Sequence, residues 1–388
     1  MISRIFRRAR LAASMAHQLL SPGVLDEGLR SGLFLTGIRR TGKTTFLIND
    51  LIPALEDAGA IVVYVDLWSD VQASPSELVR RAIRKTLEDL QTPASALLTK
   101  LKKIAAAEVA AHGFKFNFSL EKLGEKNGTT LADALIEVVD QAEADVVLIV
   151  DEVQHALSND DGAATLLALK AARDAINSRP NTPGHFLFIG TGSHRALVNE
   201  LVTRRNQAFA GATSVAYPVL NGEFVEYLLQ RLALEDPAAL PSVTAVTQAF
   251  NVIGNRPEEL IKALRILRGQ HTPGTDPDIQ IAVIAATLRT SAADAELMRL
   301  DQMGGLATAI FDRIATAAEN ARGLFSADAA AEYSRALGRE VRIDEIQPAV
   351  NELLATNLIM RRSHGVYSIS DPFVQDAWLE KKQLTRAP

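Results

Sequence analysis

The segment Gly37-Ile38-Arg39-Arg40-Thr41-Gly42-Lys43-Thr44 constrains this chain more than any other. It follows the apolar run Leu33-Phe34-Leu35 and opens a helical segment running from Lys43 to Leu51, so it reads as the turn between a strand and a helix. In such a turn the glycines let the backbone curl until successive N–H groups and the helix N-terminus face the oxygens of a phosphate. Lys43 then neutralises the outer phosphates and Thr44 offers a hydroxyl to Mg²⁺. Gly37, Ile38, Arg39, Arg40, Thr41, Gly42, Lys43 and Thr44 are therefore the candidate nucleotide contacts, with Thr45 continuing the helix beside them. ATP and Mg²⁺ are the expected ligands.

The rest of the first 220 residues fits the same architecture. Apolar runs at Ile61-Val62-Val63-Tyr64-Val65, Val146-Val147-Leu148-Ile149-Val150, Phe186-Leu187-Phe188-Ile189 and Val215-Ala216-Tyr217 alternate with helical periodicity. Near-continuous apolar runs suit strands buried on both faces, which predicts an α/β domain with a parallel sheet covered by helices. Ser74-Pro75-Ser76-Glu77 and Thr130-Leu131-Ala132-Asp133 read as helix starts of the capping-box type. Between about 92 and 128 the pattern breaks: Phe114-Lys115-Phe116-Asn117-Phe118 alternates like a strand before the loop Gly124 to Gly128, and this stretch reads as an insertion.

After Asn221 the β signals fade. Helices are predicted from about Gly222 to Arg231, Val243 to Val252 and Pro257 to Arg268, and the turn-rich stretch Gly269 to Pro277 follows them. The end of the chain carries further helices. It then carries Leu358 to Arg362, a Ser363-His364-Gly365 turn and Val366 to Ser370, which read as a hairpin. The expected division is a basic N-terminal helix at 1–25, a P-loop domain at 26–220, a helical unit at 221–299, which the resemblance given below makes a lid, and a winged-helix domain at 300–388. Two or three units suit a chain of 388 residues.

Composition narrows the setting. The chain has no cysteine, which removes disulfides and thiolate metal sites and fits a reducing compartment. No apolar run approaches the roughly 20 residues that span a bilayer, so a cytoplasmic protein without a transmembrane segment is expected. The arginine-rich start, Arg4 to Arg10, has no acid before Asp26. It is compatible with a transit peptide or a membrane-surface helix, and is read here as a basic amphipathic helix on its own domain or a neighbouring subunit. With a net charge of −5, nucleic-acid binding has to come from a local patch.

The run Val146 to Val150 delivers Asp151-Glu152 at its carboxyl end, where open parallel sheets place their ligands. Asp151 is the candidate for holding Mg²⁺ together with Thr44, and Glu152 for orienting and deprotonating an attacking water.

With these two motifs the chain resembles the AAA+ P-loop ATPases, and among them the origin-recognition-type, archaeal-type and STAND-like ATPases. The resemblance implies a polar sensor after the strand that follows the acid pair, where Thr191 and Ser193 stand; Ser193 is equally readable as the N-cap of the next helix. It implies an arginine that reaches a neighbouring subunit's nucleotide, where Arg204 and Arg205 stand, and a second sensor arginine at the start of a lid helix, where Arg256 stands. In that reading Asn255 caps the helix and Glu258 closes the box.

The tail from Ile343 to Trp378 resembles the winged-helix end of these ATPases. Its helix carries Asp344, Glu345 and Glu352 while its hairpin offers Arg361, Arg362 and His364, so packing or binding a protein partner is as well supported as binding double-stranded DNA. The resemblance implies an oligomeric ATPase that remodels, loads or gates a protein–DNA complex. The alternative is a nucleotide-gated switch that binds a protein partner with little turnover.

Overall fold

A computed structural model of the chain describes residues 5–386 apart from 71, 94, 102–111, 125–127, 158–159, 194, 205–206, 236–239, 270–274, 318–320 and 364. Arg205, His364, Glu125 to Asn127 and much of the 92–128 insertion and of the 269–277 turn thus lie outside the described residues.

Among the described residues five parallel strands make the main sheet: β1 (Leu33–Thr36), β2 (Ile61–Asp66), β3 (Val146–Asp151), β4 (Phe186–Gly192) and β5 (Thr213–Ala216), in the order β2-β3-β4-β1-β5. The three central strands are buried on both faces, which is why they are apolar at nearly every position. Successive side chains divide between two cores as the pleat requires. Phe34, Val63, Leu148 and Phe188 join one cluster with the helices Pro75–Gln91, Leu131–Ala142 and Asp160–Asn177. Leu35, Val62, Ile149 and Ile189 join the other, under the N-terminal helix Ala9–Leu20 and the helical stretch after β1. The N-terminal helix therefore lies on its own domain, through Ala12, Ala16 and Leu19.

Several local signals act as read. The hydroxyls of Ser74 and Thr130 accept the backbone N–H of Glu77 and Asp133, at 3.3 and 3.1 Å. The helix after β1 extends beyond Leu51, as a π-turn at Leu47–Leu51 followed by Ile52–Asp57. Pro53, just past the π-turn, cannot donate to Asn49, and the wider turn accommodates the missing bond.

Two sequence readings are corrected. Phe114 to Phe118 is not a strand. Its backbone is satisfied by side chains of the helix Leu131–Ala142: Asn117 N–H donates to Glu137 at 2.6 Å, and the Lys115 carbonyl accepts from Gln141 at 3.0 Å. Phe114, Phe116 and Phe118 meanwhile stack in succession. The last strand begins at Thr213 and ends before Tyr217, and as a sheet edge it is only partly covered.

Beyond the sheet the helices Gly222–Glu235, Val243–Val252 and Pro257–Gly269 pack around Phe224, Val246, Phe250 and Leu260. The helix Pro277–Gln302 joins this cluster through Ile281, Ala285 and Leu288, and joins the next through Leu297 and Leu300. One helix thus belongs to two cores. The second contains the helices Gly305–Ala315, Ala327–Leu337 and Ile343–Ala355 and an antiparallel sheet β6-β8-β7, from Ala321–Arg322, Val366–Ile369 and Ile359–Ser363. β7 and β8 form the expected hairpin, and the helix Pro372–Arg386 closes the chain.

Phe188 is fully buried, with its ring centroid 4.2 Å from that of Phe209 and 5.6 Å from that of Phe34. Phe188→Ala is expected to lower the unfolding free energy by about 3 to 5 kcal/mol in urea denaturation. A loss under about 1 kcal/mol would show that these rings do not carry the core.

Candidate functional site

The loop between β1 and the following helix bends through two left-handed residues, Arg40 at φ +65° and Gly42 at φ +88°. Gly42 can adopt this conformation without cost, whereas at Arg40 it is sustained by the surrounding loop. Inside the loop the Lys43 ammonium donates to the carbonyls of Gly37 and Ile38, each at 2.9 Å, and the Thr41 hydroxyl closes on Ile38 at 2.9 Å. Thr44 and Thr45 are exposed at the start of the helix. The loop therefore presents backbone N–H groups, a helix N-terminus and a buried cation to one place, which is the chemistry of a phosphate site.

Asp151, at the end of β3, is buried and accepts three hydroxyls. Thr44 Oγ1 donates at 2.6 Å and Tyr64 Oη at 3.2 Å, and Thr191 Oγ1 donates to the other carboxylate oxygen. Burial and the neighbouring Asp151 and Asp66 charges push the Tyr64 phenol far above its ordinary range, so it stays a donor. Thr44 and Asp151 form a hard-oxygen pair of the kind Mg²⁺ uses together with water and phosphate, so the residues fit that ion. Among the described residues no group of three or more His, Cys, Asp or Glu could hold a metal, and the remaining ligands must come from phosphate and water.

Glu152 turns away from Asp151 because its backbone is left-handed, at φ +52°. The carboxylate accepts from the Ser193 hydroxyl at 2.9 Å, from Ser193 N–H at 3.3 Å and from the Gln154 amide. Burial raises its pKa, but these hydrogen bonds and the Lys43 charge outweigh that and hold it below the usual carboxylate range. Glu152 is thus ionised at neutral pH, and the stability it contributes is lost only as the pH falls through that lowered value. The hydroxyl of Ser193 donates to Glu152 and accepts from Arg39 and Gln154.

Gly192 is required here, since a Cβ would lie 2.5 Å from both Gln154 Oε1 and Val198 Cγ2. Arg39 donates to Ser193 Oγ at 3.3 Å and lies 4.5 Å over the Trp68 ring, which packs on His155. Burial lowers the His155 pKa, and Arg39 adds to that, so the ring is neutral at physiological pH.

Arg204 directly follows the helix Arg195–Thr203 and pairs with Glu200 in the same chain. Arg256 precedes its helix rather than sitting in the first turn, because the helix begins at Pro257. Asn255 does not cap it: Asn255 is left-handed, at φ +54°, and its amide donates to the Leu220 carbonyl and the Asn251 side chain. The Arg256 guanidinium pairs with Asp371 at 2.5 Å.

Sequence reasoning missed Tyr64, Gln154, Trp68 and Asp371. Tyr64 carried a signal, as the hydroxyl-bearing residue in an otherwise aliphatic run. The sequence marks the N-terminal arginines as part of a basic helix, without their partners. Arg7 pairs with the buried Asp50 at 2.8 Å, and Arg8 donates to Tyr217 Oη at 3.0 Å, which in turn donates to the Gly42 carbonyl at 3.3 Å.

Residues 27–198 match the family model described as AAA domain. No curated protein matches the chain. Among solved structures, the Aeropyrum pernix ORC2 protein in its ADP form aligns with a TM-score of 0.56 at 13% identity, over 100% of this chain and 97% of that one. The same protein as ADPNP-ADP complexes gives 0.53 at 14% identity, over 99% and 97%. At such identity the likeness is one of fold, and it extends over both chains. Residues 27–198 of this chain thus match an AAA domain, and the chain as a whole is similar in fold to the Aeropyrum pernix ORC2 protein.

Proposed function

We propose that the chain is an ATPase that binds Mg-ATP at Gly37 to Thr45 and couples hydrolysis to the remodelling, loading or gating of a protein–DNA complex. The observation that carries this is the meeting of Lys43, Thr44, Asp151, Glu152, Thr191 and Ser193 at the carboxyl edge of one sheet. Lys43 and the loop amides hold the phosphates. Thr44 and Asp151 hold Mg²⁺, which when bound neutralises charge on the phosphate oxygens. Glu152 orients and deprotonates the attacking water, and Ser193 and Gln154 fix its carboxylate beforehand. Thr191 links the end of β4 to the metal-side acid.

Arg204 or Arg205 supplies charge to the site of a neighbouring copy in a homo-oligomer, and Arg256 approaches from the lid. Arg204 must exchange Glu200 for phosphate in doing so. The division into an N-terminal helix, P-loop domain, lid and winged helix belongs to the same reading. The β6-β8-β7 sheet with the helices Gly305–Ala315, Ala327–Leu337 and Ile343–Ala355 supports the winged helix. Its hairpin strand β7 packs on the helix Arg195–Thr203 beside the site, which favours a unit whose partner, protein or double-stranded DNA, is engaged after it moves. Among the described residues no helix is long and apolar enough to cross a membrane, in keeping with the proposed cytoplasmic setting.

Lys43→Ala is expected to abolish Mg-ATP binding in titration calorimetry; normal affinity in that variant would remove the phosphate assignment. Glu152→Gln should keep ATP affinity within a few fold while turnover, followed as phosphate release, falls by about 10² or more. Unchanged turnover would move the base elsewhere.

A further inference from the structure

The lid and the C-terminal unit meet over the P-loop. A cavity of about 530 Å³ is bounded on one side by Ile38, Arg39, Arg40 and Ser193, and on the other by the lid and by Asp371 to Val374. Among the described residues six basic side chains against three acidic ones line it, so it favours an anion. Arg256 stands on its wall, and its guanidinium is held by Asp371 of the C-terminal unit, both side chains being largely covered.

Asp371 does two separate things. One carboxylate oxygen accepts the backbone N–H of Phe373 at 3.0 Å, at the start of the helix Pro372–Arg386; the other takes Arg256. The contacts beside it hold the same interface. Phe373 lies under the Arg289 guanidinium at 4.7 Å and so close to Gly254 that a Cβ there would be 2.6 Å from its ring. Arg289 pairs with Asp376 at 2.6 Å.

We propose that Asp371 is a positioning residue that competes with the nucleotide's phosphate for Arg256, so that ATP binding and docking of the C-terminal unit on the lid oppose one another. This rests on the reading of Gly37 to Thr45 as the nucleotide site. A guanidinium offers one planar fork, and a triphosphate entering from the P-loop side presents more negative charge to it than one carboxylate does. When Arg256 turns to phosphate, the interface loses its ion pair and keeps Phe373 and the Arg289–Asp376 pair. By linkage, whatever factor ATP contributes to undocking, undocking returns to ATP affinity. The hairpin that packs on the helix Arg195–Thr203 is released in the same movement.

Asp371→Asn isolates the charge, because the amide oxygen can still accept Phe373 N–H and preserve the helix start. The test is calorimetric titration of Mg-ATP into the full chain as wild type, Asp371→Asn, Arg256→Ala and the double variant. Asp371→Asn is expected to tighten Mg-ATP by about tenfold, and to have no effect in the Arg256→Ala background. Because the chain has no cysteine, nitroxides at Glu88→Cys and Ala355→Cys report docking directly. The distance between them should change on adding Mg-ATP to wild type and be displaced already in Asp371→Asn.

Wild-type binding with no tightening in Asp371→Asn overturns the competition alone, as does tightening that persists without Arg256 or a spin-label distance indifferent to both ATP and the substitution. Absence of Mg-ATP binding by the wild type overturns the nucleotide reading and this inference with it.

Discussion

The carboxylate of Asp151 is the point on which the site depends. It lies buried at the end of β3 and receives hydroxyls from Thr44 on the P-loop helix, Tyr64 on β2 and Thr191 on β4. A buried carboxylate is costly unless its lone pairs are met, and here three neighbouring elements meet them. The same bonds fix the mouth of the P-loop against the centre of the sheet. Stability and the proposed chemistry are therefore served by one group: the arrangement that satisfies Asp151 also aims a hydroxyl and a carboxylate at the place where a phosphate-bound cation belongs.

From there the geometry runs outward in two directions. The left-handed backbone at Glu152 separates the second acid from the first; Ser193 and Gln154 hold it in place, and Arg39 donates to Ser193 in turn. On the far side of the cavity Arg256 is held by Asp371. Ser193 and Arg256 thus border one space from opposite walls, the first tied to the proposed base and the second to the C-terminal unit. A ligand that filled this space would meet both walls, which gives the proposed coupling a short physical path.

Much of this was legible in the sequence because it rests on local rules. Aliphatic runs buried on both faces announced the sheet, and the glycines with Lys43 and Thr44 announced the loop. Ser74 and Thr130 marked helix starts through their own hydroxyls. What escaped depends on partners distant in sequence. Phe114 to Phe118 alternates like a strand, yet its backbone groups are met by Glu137 and Gln141. Asn255 looked like a cap, but its left-handed backbone sends the amide to the Leu220 carbonyl. The tie between Arg256 and Asp371 crosses 115 positions, and neither residue carries a local sign of the other. The part of Ser193 was left open between cap and sensor, and its bond to Glu152, 41 positions away, has no local sign in the sequence.

The central claim is that Thr44 and Asp151 hold Mg²⁺ against a nucleotide in the loop. Its most direct test compares ATP affinity with Mg²⁺ and with chelator in the wild type and in Asp151→Asn, which keeps the shape of the side chain and removes its charge. The account predicts that Mg²⁺ strengthens ATP binding to the wild type and that Asp151→Asn loses that gain. An equal gain from Mg²⁺ in both proteins would contradict it.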